Sequence, residues 1–187
     1  TENWLQHFDV SPAVSSSRNA IEFLQKINQK SGEFSTHRFI HSHLSWRVLL
    51  RALRNWLKLI VKSYSFKGIE SAFKPSDSQI SLWPLLKKDW YAMISGPIAL
   101  SNLIWIELFD LVLRKMPHQE KGLFLCENQA WERALIHAWR KYEHGQLIAV
   151  AHSTVRFWDL RYFSDQRSCN PSVTNPMPQA DFIALNG

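Results

Sequence analysis

The feature that most constrains this chain is a change of apolar rhythm near residue 120. Before it, apolar residues recur every three or four positions, as on helices. After it they come in short unbroken runs. Residues 122–126 (Gly-Leu-Phe-Leu-Cys) and 147–151 (Leu-Ile-Ala-Val-Ala) are such runs, the pattern of strands buried in a parallel sheet. Between them, residues 129–142 carry helical spacing through Trp131, Leu135, Ala138 and Trp139, and Gly145 closes the helix. A polar loop rich in Ser, Asn and Pro occupies residues 168–178, and a third run covers 181–185. Strand, helix, strand, loop, strand predicts an α/β arrangement with parallel strands and a right-handed crossover.

The first part reads as mainly helical. A helix is expected over 17–30, with Ile21, Leu24 and Ile27 on one face and Ser31-Gly32 as its stop. A second is expected over 45–62. Its apolar stripe is Leu49, Leu53, Trp56, Leu57 and Ile60, and Arg47, Arg51, Arg54, Lys58 and Lys62 follow helical spacing on another face. That basic face could dock on anionic lipid headgroups. The plainer expectation is a solvated face on a helix packed by its leucines. Residues 67–79 form a connection. Helices over 85–94 and 97–114 follow, separated by Ser95-Gly96 and with Pro97 suited to a helix start. A length of 187 residues suits one domain, mainly helical over 1–120 and α/β over 121–187. It holds no internal repeat.

The formal charge of +6 favours anionic partners without choosing among them. Basic and acidic residues are interspersed, which ranks nucleic-acid binding last. The two cysteines, Cys126 and Cys169, form no framework, and without a Cys-x-x-Cys pair a zinc site is not indicated. His37, His41 and His43 have spacing that a metal could use, but no carboxylate or thiol pattern joins them. The start, Thr1-Glu2-Asn3-Trp4, is not a signal peptide. The most apolar stretch, 97–116, is interrupted by Asn102, Glu107 and Asp110 and is a poor membrane span. These features predict a reduced, cytoplasmic protein. The absence of an initial Met and the close directly after an apolar run lead us to expect one piece of a longer chain. No Gly-x-Gly-x-x-Gly, Walker loop or Gly-x-Ser-x-Gly elbow is present.

Open parallel sheets bind ligands beyond the carboxyl ends of their strands. The first strand runs into Glu127-Asn128-Gln129, the second into His152-Ser153-Thr154 and the third into Asn186-Gly187. Parallel neighbours would bring these groups to one rim. Glu127 can act as base, nucleophile or orienting group, or simply favour the positive end of the following helix. His152 can move a proton near neutral pH or bond a phosphate or hydroxyl, or instead satisfy backbone groups of its turn. Residues 155–162 add Arg156 and Arg161, Asp159 as a second carboxylate, and three aromatic rings. Arginines grip phosphates and carboxylates in bidentate fashion. The alternative is a loop packed by its rings and an internal Arg–Asp pair. Glu132 and Arg133, one turn into the helix, are expected to be exposed, and Trp131 to belong to the core.

Two stretches, Gly122-Leu-Phe-Leu-Cys-Glu-Asn-Gln-Ala-Trp-Glu-Arg-Ala-Leu and Leu147-Ile-Ala-Val-Ala-His-Ser-Thr-Val-Arg-Phe-Trp-Asp-Leu-Arg-Tyr-Phe, resemble bacterial surface-carbohydrate biosynthesis proteins of capsule and O-antigen clusters. The shared pattern is a strand ending in Glu-Asn-Gln, a Trp-Glu in the helix, and a strand ending in His-Ser. The closing Pro178-Gln-Ala-Asp-Phe-Ile-Ala-Leu-Asn-Gly and, more weakly, 95–110 are similar too, so the likeness covers roughly residues 82–187. It implies a GT-B type glycosyltransferase, two Rossmann-like domains across a cleft, of which this chain would be the N-terminal one. The implied donor is a nucleotide sugar, bound as substrate with no cofactor. The implied acceptor is a saccharide or lipid-linked glycan, with peripheral contact to the inner membrane and no nucleic acid. On this expectation Glu127, His152 and Asp159 are catalytic, and Asn128, Gln129, Ser153, Thr154, Arg156, Arg161 and Asn186 bind substrate. A non-catalytic carbohydrate-binding or assembly protein is the alternative.

Overall fold

A computed structural model describes residues 2–6, 17–32, 35–154, 166–170, 172, 174 and 176–185. The elements, in chain order, are β1 (Glu2–Gln6), α1 (Ser17–Ser31), β2 (Ser35–Phe39), α2 (Trp46–Ser63), α3 (Trp83–Ile94), α4 (Pro97–Lys115), β3 (Lys121–Cys126), α5 (Ala130–Lys141), β4 (Gln146–Ala151), the short α6 (Gln166–Cys169) and β5 (Phe182–Ala184). The fold is mixed α/β, mainly helical, with two small parallel sheets.

The first sheet adds two short strands to the mainly helical part expected from the sequence. β1 and β2 pair in parallel across α1, with Glu2 opposite Ser35 and Gln6 opposite Phe39. Neither strand carries an apolar run, so periodicity did not reveal them. Asn28 of α1 secures β2 by taking the N–H of His37 and donating to its carbonyl, at 2.7 and 3.0 Å. The connection at 67–79 also holds a short 3-10 turn, Ile69–Phe73.

The second sheet has β4 between β3 and β5, all parallel. The register sets Cys126 opposite Ala151, so β3 and β4 end at one level. One face packs on α5 and α4. Phe124, Leu147 and Ala149 from the strands meet Leu135, Ile136 and Trp139 of α5 and Leu108, Phe109, Val112 and Leu113 of α4. Two glycines permit this closeness. A Cβ on Gly122 would meet the Trp139 ring at 2.6 Å, and one on Gly145 would meet the Glu120 carbonyl oxygen at 2.0 Å. On the opposite face Leu123 is 70% exposed, and Leu125 and Phe182 are exposed as well. Among the described residues no element covers it, whereas a doubly wound sheet has helices on both faces.

The polar residues that interrupt α4 tie helices together. Asn55 of α2 donates to Glu107 at 2.9 Å, and Tyr142 donates to Asp110 at 2.8 Å beside Lys141. Among the described residues no single helix is long and apolar enough to cross a membrane. α3 and α4 pass such a test only jointly, and they are bent by 42° at Ser95-Gly96.

Candidate active site

β3 passes into α5 through one tight turn. Asn128 adopts a left-handed conformation, φ 62°, which asparagine tolerates better than most residues. Gln129 caps the helix with extended backbone. Behind the turn lies Glu132, only 3% exposed. Its Oε1 accepts the backbone N–H groups of Glu127 and Gln129, at 2.7 and 2.9 Å, and the Cys126 thiol donates to Oε2 at 3.5 Å. Burial, with the Glu132 carboxylate alongside, pushes the Cys126 thiol above its ordinary range, so it stays protonated. Sequence reasoning placed Glu132 on the surface, and the structure corrects this. A glutamate three residues after a cap is half of a capping box, and the Gln129-Ala-Trp-Glu132 spacing carried that signal. Arg133 is corrected too, being part-buried and donating through Nη1 to the Pro178 carbonyl and the Gln179 side chain at 3.0 and 3.1 Å. Trp131 packs against the core as expected.

With its backbone held by Glu132, Glu127 points its carboxylate along the rim to β4. There His152 Nδ1 lies 3.0 Å from Glu127 Oε1. The His152 N–H also donates to the Cys126 carbonyl at 3.4 Å, so the two strand ends stay adjacent one residue beyond the ladder. The Glu127 and His152 side chains are 38% and 54% exposed, open enough to meet a substrate. A carboxylate on Nδ1 fixes the ring orientation and leaves Nε2 as the outward nitrogen. Among the described residues nothing bonds Nε2. Glu127 is therefore neither the cap of α5 nor a lone carboxylate, and the His152 ring does not serve its own turn.

Asn128 and Gln129 lie exposed in the first turn, and Ser153 and Thr154 lie exposed just past β4. Neither pair bonds the Glu127–His152 couple. Asp159, Arg156, Arg161 and Asn186 lie outside the described residues. The three histidines of 37–43 scatter: His37 stacks on Trp4, His41 packs edge-on to Trp105, and His43 borders a cavity. No group of three metal-ligating side chains gathers among the described residues. Neither cysteine is in a disulfide.

That cavity, of about 320 Å³, is lined by Asn3, Trp4, Thr36, Arg38, His43 and Lys115 among others. Burial, with Arg38 and Lys115 nearby, holds His43 below the usual histidine range. None of its lining residues belongs to the Glu127–His152 rim, which is an open ledge. The ledge joins an imidazole to a carboxylate that orients it, and it is the candidate site, whereas the cavity is the deeper space. The chain matches no protein-family model, no curated protein and no solved structure.

Proposed function

We propose that this chain supplies one Rossmann-like part of a glycosyltransferase, the N-terminal half of a GT-B type enzyme. It would move a sugar from a nucleotide-sugar donor to a surface polysaccharide or lipid-linked acceptor. The observation that carries the reading is the Glu127–His152 couple at the carboxyl rim of parallel strands, where such sheets bind ligands. The likeness of the same two strand ends to surface-carbohydrate proteins supports it.

Among the roles open to the two residues, the couple suggests one division of labour. Glu127 orients His152, and His152 is the base. Nε2 takes the proton of an acceptor hydroxyl, the oxygen bonds to the anomeric carbon, and the bond from that carbon to the donor phosphate breaks, releasing the nucleotide. Glu127 stabilises the imidazolium so formed, as the aspartate of a Ser-His-Asp triad does behind its histidine. Donor contacts would come largely from the other half of the cleft.

A carbohydrate-binding role without turnover is the second reading, favoured by the position of the couple on an open ledge outside the cavity. A panel of nucleotide sugars, incubated with a glycolipid acceptor and the complete enzyme that joins this part to its donor-binding half, decides between them. The enzyme reading predicts nucleotide release by the wild type and a loss of about a hundredfold or more in His152→Ala, typical of removing a general base. Unchanged release by a folded His152→Ala protein would contradict the assignment. Saccharide binding without release from any donor would support the second reading.

A further inference from the structure

At about 100° per residue, α2 divides into three arcs. The first packs inward: Val48 and Ala52 are buried, and Asn55 and Trp56 bond to Glu107 and the Ser95 carbonyl. The second is apolar and faces out. Trp46 is 72% exposed, Leu57 53% and Val61 70%, with Leu50 and Leu53 exposed beside them. The third, next to it, carries Arg47, Arg51, Arg54, Lys58 and Lys62, all exposed. No acidic residue lies in the helix. A shallow groove of about 400 Å³ marks the border of the apolar and basic arcs, lined by Arg54, Leu57, Lys58, Val61 and Lys62. The expectation that leucines pack this helix holds only in part: Leu49, Trp56 and Ile60 are half-buried, while Leu53 and Leu57 face out.

We propose that α2 lies along an anionic lipid surface, with the Leu53–Leu57–Val61 stripe entering the acyl boundary and the basic row resting on headgroups. Charge complementarity selects this occupant. A nucleic acid would satisfy the basic row and leave the apolar stripe wet. A second copy of this chain would cover the stripe but set one basic row against another, with only Arg51 of each row already paired among the described residues, to Glu107 at 3.9 Å. An anionic bilayer offers apolar depth and negative charge at the spacing of one helix radius, which is how interfacial helices bind. Trp46 and the exposed Tyr64 bracket the two ends of the stripe, and such rings favour the headgroup level. The inference rests on α2 alone and stands or falls separately from glycosyl transfer.

Vesicles of one part phosphatidylglycerol to two parts phosphatidylcholine, and vesicles of phosphatidylcholine alone, test it by co-sedimentation with the chain. Two variants accompany the wild type: Leu57→Ser with Val61→Ser, and Arg54→Gln with Lys58→Gln and Lys62→Gln. All five positions are exposed, and circular dichroism checks each fold. The proposal predicts capture by the anionic vesicles, weakened by added salt, and a drop of about tenfold or more in partitioning for either variant. Equal capture by both kinds of vesicle, no capture at all, or undiminished binding by both variants would overturn it. So would a wild-type dimer in sedimentation velocity that Leu57→Ser with Val61→Ser dissolves, since a second copy would then own the stripe.

Discussion

Glu132 shows how much of the candidate site depends on a residue buried behind it. Its buried carboxylate holds the N–H groups of Glu127 and Gln129, and so fixes where the Glu127 side chain begins. Removing a buried acceptor strands its donors at a cost of about 1–3 kcal/mol each. Glu132→Ala should therefore lower stability by about 2–4 kcal/mol, read as an earlier midpoint in urea. Glu132→Gln, which can still accept both bonds, should keep most of it. Equal midpoints for Glu132→Ala and wild type would show that the turn stands without this clamp. At this scale Glu127 and His152 could be read from the sequence because each directly follows an apolar run that ends a strand. Glu132 was misread because a helix glutamate looks the same whether it faces water or folds back on its own turn. Only the spacing from Gln129 distinguished the cases.

At the scale of elements, one aspartate ties the last strand to two of its neighbours. Asp181 Oδ2 accepts the Leu147 N–H at 2.7 Å, and Oδ1 meets Arg140 Nη2 at 2.6 Å, so one side chain binds β5 to both β4 and α5. The Arg140 hydrogen bond, outweighing burial, holds the Asp181 carboxyl below its ordinary value. The sign follows. A depressed acid stabilises the fold fully above the usual carboxylate range, and that contribution fades as pH falls through the lowered native value. Asp110 is depressed as well: burial acts to raise it, but hydrogen bonds from Lys141 and Tyr142 prevail. Asp181→Asn should cost about 1–2 kcal/mol near neutral pH and should flatten the acid limb of a stability-against-pH curve. A variant whose acid limb matches the wild type would place the anchor elsewhere. The β3–α5–β4 unit could be read in advance because its runs are apolar and continuous. β1 and β2 could not, since Glu2–Gln6 and Ser35–Phe39 are short, polar and half exposed. Their pairing is imposed by α1 and Asn28 rather than written in their own pattern.

At the scale of the whole molecule, the fold serves to join distant positions. Glu127 and His152 are far apart along the chain, yet parallel pairing with Cys126 opposite Ala151 brings them to 3.0 Å. Among the described residues, nothing covers Leu123, Leu125 and Phe182 on the far face of the same sheet. Runs such as 122–126 read as strands buried on both sides. The sequence signal cannot tell burial on two faces from one packed face and one open apolar face. The same ambiguity hid the outward leucines of α2. The central claim is that Glu127 acts through His152, so that the two form one catalytic unit. The direct test compares nucleotide release by wild type, Glu127→Gln, His152→Ala and the double variant, using a nucleotide-sugar donor on which the wild type turns over. Residues that act as a unit are not additive. The account predicts that the double variant is no slower than His152→Ala alone. Losses that multiply in the double variant would mean that the two side chains act independently, and would contradict it.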